Sequence, residues 1–69
     1  MKFKKNDLVA FNGDVGIVYA YNKKFNEYSI WIDDHMTVVE EHWIRTATKK
    51  DIKKAGGMGY ISKLKVGAV

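Results

Sequence analysis

Sixty-nine residues, 46% of them apolar, with a formal net charge of +4 and no cysteine, leave room for a single core, because a chain this short buries only about 60% of the surface it exposes unfolded. The missing cysteines exclude a disulfide scaffold, a thiolate zinc site and a cysteine nucleophile. No apolar run approaches the roughly 20 residues of a membrane span, and Met1-Lys2-Phe3-Lys4-Lys5-Asn6-Asp7 never reaches the apolar stretch of a secretion signal, so the expected setting is cytoplasmic.

Charge is unevenly distributed. Residues 1–25 carry five lysines against Asp7 and Asp14, residues 26–46 carry Glu27, Asp33, Asp34, Glu40 and Glu41 against Arg45, and residues 47–69 carry six lysines against Asp51. An acidic middle thus lies between basic ends. Basic clusters attract polyanions and steer their approach, although scattered lysines also simply keep a small protein soluble.

Leu8-Val9-Ala10-Phe11 predicts a first strand that stops at Asn12-Gly13, a pair suited to a tight hairpin because both residues tolerate positive φ. Gly16 to Tyr21, rich in β-branched and aromatic residues, predicts a second strand. The polar stretch Asn22 to Glu27 reads as a loop into a third strand, Tyr28 to Ile32; Asp33-Asp34-His35 turns the chain into a fourth, Met36 to Val39. Glu40-Glu41-His42 predicts one turn of 3₁₀ helix before a short fifth strand, Trp43 to Thr46. Five short strands in 46 residues point to a mainly β fold, a small closed or nearly closed barrel, since closure removes pairing edges.

Beyond Thr46 the composition changes. Thr48 followed three residues later by Asp51 is an N-cap signature, and Gly56-Gly57 is a stop, predicting a short helix with Ile52 as its only large apolar residue. The alternation from Tyr60 to Val66 reads as a further strand or, with four glycines around it, as a mobile tail. Residues 1–46 are therefore expected to form the barrel, with 47–69 a basic helix and tail appended to the same domain and dispensable for it.

Lys5-Asn6-Asp7-Leu8-Val9 through Gly16-Ile17-Val18 resembles the opening of SH3-like small barrels, particularly KOW-type modules with their K-G-D-x-V, turn and G-x-V. Val39-Glu40-Glu41-His42-Trp43-Ile44 resembles their closing V-P-E-E-x-L turn. Asn6 stands where the pattern has glycine and Glu40 where it has proline. Such barrels occur in ribosomal proteins, transcription elongation factors, Tudor domains and small phage proteins. The resemblance implies a five-stranded SH3-like barrel, with RNA, DNA or protein as partner; function itself has to be argued from a site.

Two surfaces suggest themselves. With Val18, Ala20, Tyr28, Ile30 and Ile32 facing inward, Tyr19, Tyr21 and Trp31 share the opposite face beside Lys23 and Lys24, an arrangement on which bases stack while ammonium groups follow phosphates. Lys49, Lys50, Lys53, Lys54, Lys63 and Lys65 extend that basic surface. The plainer reading covers the aromatic face with Ile52, Tyr60, Ile61 and Leu64 as a second small core; an odd shift in hairpin register would also reassign Trp31 and Tyr19. The second surface is acidic: Trp43 with Glu40, Glu41, Asp33 and Asp34 suits a protein contact or a cation, whereas the plainer reading buries Trp43 under Phe3 or Leu8.

Asp33, Asp34, His35, Glu40, Glu41 and His42 match no metal or acid-base spacing, and Gly56-Gly57-Met58-Gly59 lacks the strand and lysine of a phosphate loop. The expectation is a non-catalytic binding module without cofactor, metal, membrane or small-molecule substrate. Its partner is RNA or DNA, contacted through lysines and aromatics; the alternative is a protein-protein module, for instance a small phage-type protein that docks on and modulates a host assembly.

Overall fold

The computed structural model describes residues 2–67. Strands β1 (Leu8–Phe11), β2 (Asp14–Asn22), β3 (Glu27–Ile32) and β4 (His35–Glu40) follow one another, and a 3₁₀ turn (Glu41–Trp43) leads to β5 (Arg45–Thr46) and helices α1 (Lys49–Ala55) and α2 (Gly57–Gly67). All five strands join one antiparallel sheet in the order β4-β3-β2-β1-β5. Asn12 and Gly13 take φ of 52° and 85° between the paired Phe11 and Asp14, the left-handed geometry that a two-residue hairpin requires.

The sheet does not close. Its two edges are β4 and β5, so the closed or nearly closed barrel expected from five strands is replaced by an open sheet. The reason lies in β5, which is two residues long and makes only the pairs Val9↔Thr46 and Ala10↔Arg45, both with β1.

Two cores occupy opposite faces of this sheet. Phe3, Val9, Val18, Tyr28, Ile30, Ile32, Val39 and Ile44 form the first, joined at its margin by Phe11 and Tyr21. Val15 and Ile17 meet Ile61 and Leu64 of α2 in the second, flanked by Leu8, Trp31, Ile52 and Tyr60. Gly16 allows the first core to pack: a Cβ there would lie 2.7 Å from Ile32 Cγ1 and 2.9 Å from the Trp31 carbonyl oxygen.

The inward set read from simple alternation needs one correction. Ile17 pairs with Trp31 and Val18 with Ile30, but the ladder resumes at Ala20↔Ser29, leaving Tyr19 as an extra residue. One inserted residue reverses the facing of everything after it. Tyr21 therefore joins Val18 and Tyr28 on the first core's face, and Ala20 is exposed.

The carboxy-terminal segment is corrected too, since residues 57–67 are helical, neither strand nor loose tail. Ile61 and Leu64, three apart and so on one helix face, are 2% and 0% exposed. Burying two such side chains contributes about 1.5–3 kcal/mol each, enough to offset the glycines at the helix start. The segment is thus built into the second core, whereas the sequence reading sets it apart from the barrel. α1 starts as expected: Thr48 and Asp51 form a reciprocal capping box, and Gly56, at φ 128°, ends it. Among the described residues no helix is long and apolar enough to cross a membrane.

Candidate functional site

The aromatic platform is not assembled. Trp31 keeps the face opposite Val18 but is half-buried beside α2, whose Gly67 packs on its indole. Tyr21 has crossed to the other face, where its ring lies 4.7 Å from that of Tyr28 and its hydroxyl donates to Asn26 Oδ1 at 2.8 Å. Tyr19 alone is exposed, with Lys5 Nζ 5.4 Å from its ring centre. The bulge and the docked helix separate three residues that alternation places together.

The lysines are exposed throughout. Lys23 and Lys24 sit in the β2–β3 loop, where Lys24 Nζ lies 5.4 Å from the Phe25 ring. Lys49, Lys50, Lys53 and Lys54 project from α1, and Lys63 and Lys65 from α2, while Ile52, Ala55, Ile61 and Leu64 turn toward the sheet. Among the described residues Arg45–Asp51 is an ion pair, His35 lies beside Asp34 and His42 beside Glu40, and no carboxylate engages a lysine.

Trp43 is 64% exposed, so burial under Phe3 or Leu8 is overturned. Phe3 is committed to an edge-on contact with Tyr28, ring centres 5.5 Å apart, and Leu8 faces the second core. The 3₁₀ turn explains the exposure: extended residues Glu40 and Ile44 flank it, Ile44 enters the first core, and Trp43 is turned outward against His42, 5.1 Å between rings. Trp43 borders a groove of about 500 Å³ lined by Phe11, Asn12, Glu27, Val38, Val39 and Glu40. A smaller hollow of about 230 Å³, lined by residues 10–13 and 42–45, adjoins it. The groove joins residues of β1 and its turn to residues of β4, across the side where the sheet stays open.

Its polar wall is acidic. Glu27 and Glu40 both line the groove and stand directly opposite each other in the β3–β4 ladder, a like-charge pairing that costs stability unless a cation approaches. Asp33 and Asp34, both exposed, lie in the turn at the other end of β4. Glu41 is employed differently: it accepts hydrogen bonds from the Tyr28 hydroxyl and, at 3.1 Å, from the Lys2 amide. The Tyr28 bond holds the Glu41 carboxyl below the ordinary range, while burial pushes the Tyr28 phenol up. Glu41 therefore pins the amino-terminal segment and is not a free partner in the groove.

Asp51 closes a two-pronged contact with Arg45, 2.6 and 2.9 Å, that ties α1 to β5. The guanidinium holds its carboxyl far below the usual carboxylate range. Among the described residues no three histidine, aspartate or glutamate side chains gather as a metal site. Asp34 and His35 lie at one end of β4, Glu40 and His42 at the other.

Sequence reasoning missed Phe11, Val38 and Glu27 as groove residues. The signal available for Val38 was its adjacency to Val39: in a strand, one of two neighbouring valines must face away from the core. In comparisons with known proteins, the chain matches no protein family, no curated protein and no solved structure.

Proposed function

We propose that this protein is a non-catalytic binding module that engages a protein partner through the Trp43 groove. The observation that carries this reading is Trp43, 64% exposed beside a groove with apolar residues Phe11, Val38 and Val39 and carboxylates Glu27 and Glu40. Tryptophans seated at pockets supply a disproportionate share of interface energy. Exposed apolar side chains gathered at one groove and rimmed by charge, as Trp43 and Val38 are by Glu27 and Glu40, mark interaction sites where a lone exposed side chain does not. An SH3-like scaffold is supported by the 3₁₀ turn between β4 and β5 and by the return of β5 to pair with β1.

The test is affinity capture with wild-type protein and a Trp43→Ala variant, followed by titration of the purified partner. A partner held by the wild type and lost by the variant is expected; an unchanged partner set overturns the reading.

A second reading, polyanion contact, is favoured by the six exposed lysines of α1 and α2, none of which is in an ion pair among the described residues. Without the aromatic platform it rests on phosphates alone, which position a ligand without reading its bases. Binding to an arbitrary oligonucleotide that weakens steeply between low and high salt is expected; no binding at low salt sinks it.

A further inference from the structure

We propose that β4 receives an extended, lysine- or arginine-bearing segment of the protein partner as a sixth strand of the sheet. This inference rests on the Trp43 groove being the partner site and names what the partner presents there.

Three observations converge on β4. It is the terminal strand of the sheet, so among the described residues one side of its backbone has no neighbouring strand. At six residues it spans roughly 17 Å, against the two residues of β5 at the other edge. Its sequence, His-Met-Thr-Val-Val-Glu, contains no lysine or proline, the residues with which soluble proteins most often blunt an exposed edge. Met36 and Val38 are instead 40% and 60% exposed along it. An edge left open in this way is a template for strand addition, in which backbone bonds supply affinity and alternate side chains supply specificity.

The charge around the edge selects the occupant. Glu27 and Glu40 oppose each other at one end and Asp33 and Asp34 flank the other, so a cationic strand meets four carboxylates, of which Asp34 and Glu40 have only the imidazoles of His35 and His42 beside them. Arg45, the one arginine or lysine of residues 26–46, is already held by Asp51. Val38, Val39 and Glu40 belong both to the edge strand and to the groove. A strand laid on β4 therefore runs beside the groove, and its apolar side chains fall against Val38 and Trp43.

The test uses the full chain and capped peptides of about eight residues: alternating valine and lysine, alternating valine and glutamate, and the lysine peptide N-methylated at alternate residues. The Trp43 indole resonance reports the groove, and amide hydrogen exchange reports the β4 backbone. The lysine peptide is expected to shift the indole signal and to slow exchange across β4 at least tenfold, ~10-fold weaker binding following from N-methylation or from Val38→Lys. An indole shift without β4 protection overturns strand addition and leaves the groove reading standing. Protection of β4 that survives Trp43→Ala supports strand addition and removes the groove reading. Silence of both probes, or equal binding of the glutamate peptide, overturns the proposal. So does β4 protection that grows with protein concentration alone, which would make a second copy the occupant.

Discussion

Gly67, the last residue of α2, lies directly against the indole of Trp31 in β3: a Cβ at that position would come 2.9 Å from the indole Cε2. Helix and sheet are therefore in close contact over the outer face of β2 and β3, and Ile61 and Leu64 complete the second core beneath. Leu64→Ala is expected to destabilise the protein by about 2–4 kcal/mol, read from urea unfolding. Removal of residues 47–69 should abolish the cooperative transition, because it uncovers Leu8, Val15, Ile17 and Trp31 together. Retention of a native unfolding curve by the truncated chain would show that this second core is not needed.

Gly16 is required by proximity, since a Cβ would press on Ile32 and on the Trp31 carbonyl. Gly16→Ala should cost about 1–3 kcal/mol through overpacking. Gly13, whose Cβ would meet nothing within 4 Å but whose φ is 85°, tests the other kind of constraint. Gly13→Ala should cost through backbone strain alone, with core side-chain resonances unmoved.

The Tyr28 hydroxyl accepts from the amides of Lys2 and Phe3, at 2.9 and 3.1 Å, and donates to Glu41. Tyr28→Phe keeps the ring in the core but strands the buried Phe3 amide, the Lys2 amide keeping its bond to Glu41, for an expected loss of about 1–3 kcal/mol and faster amide exchange at Phe3. The Tyr28 phenol is pushed up by burial and by Glu41. Its contribution is accordingly complete below the ordinary tyrosine range and is lost as pH rises through the elevated value, an alkaline loss that the phenylalanine variant should lack.

Acid acts through Asp51 and Glu41. Arg45 holds the first carboxyl far below its ordinary range and Tyr28 holds the second below it. A depressed folded-state value means that the stabilisation is fully present above the ordinary carboxylate range, about pH 4. It is lost as pH falls through that range toward the depressed values. The urea midpoint should therefore drop below about pH 4, and Asp51→Asn should be less stable at neutral pH with a shallower acid decline. Identical pH profiles for the two proteins would remove the Arg45–Asp51 contact as a source of acid sensitivity.

Trp43 contributes little to the fold, since its side chain is turned away from both cores. Trp43→Ala should leave the unfolding midpoint within the effect of about 0.5 kcal/mol typical of a surface change, while partner capture is lost. A large loss of stability instead would mean that the variant cannot report on binding.

What the sequence determined by itself is whatever a few neighbouring residues decide. Asn12-Gly13 accommodates left-handed backbone wherever it stands, Thr48 and Asp51 cap a helix through bonds three residues apart, and runs such as Tyr28 to Ile32 favour extended chain. The five strands, the 3₁₀ turn and the first helix were legible for that reason. Tertiary structure decided the rest. The bulge at Tyr19 depends on how β2 meets β3, and it undid the aromatic platform by reversing one face after Val18. The helix over 57–67 exists because Ile61 and Leu64 find Val15 and Ile17, a gain that intrinsic propensity in a glycine-rich segment does not foretell. Trp43 is outside because Phe3 already covers Tyr28 and Ile44 takes the inward position. Each of these outcomes turns on residues far apart in the chain, whose pairing no local pattern encodes.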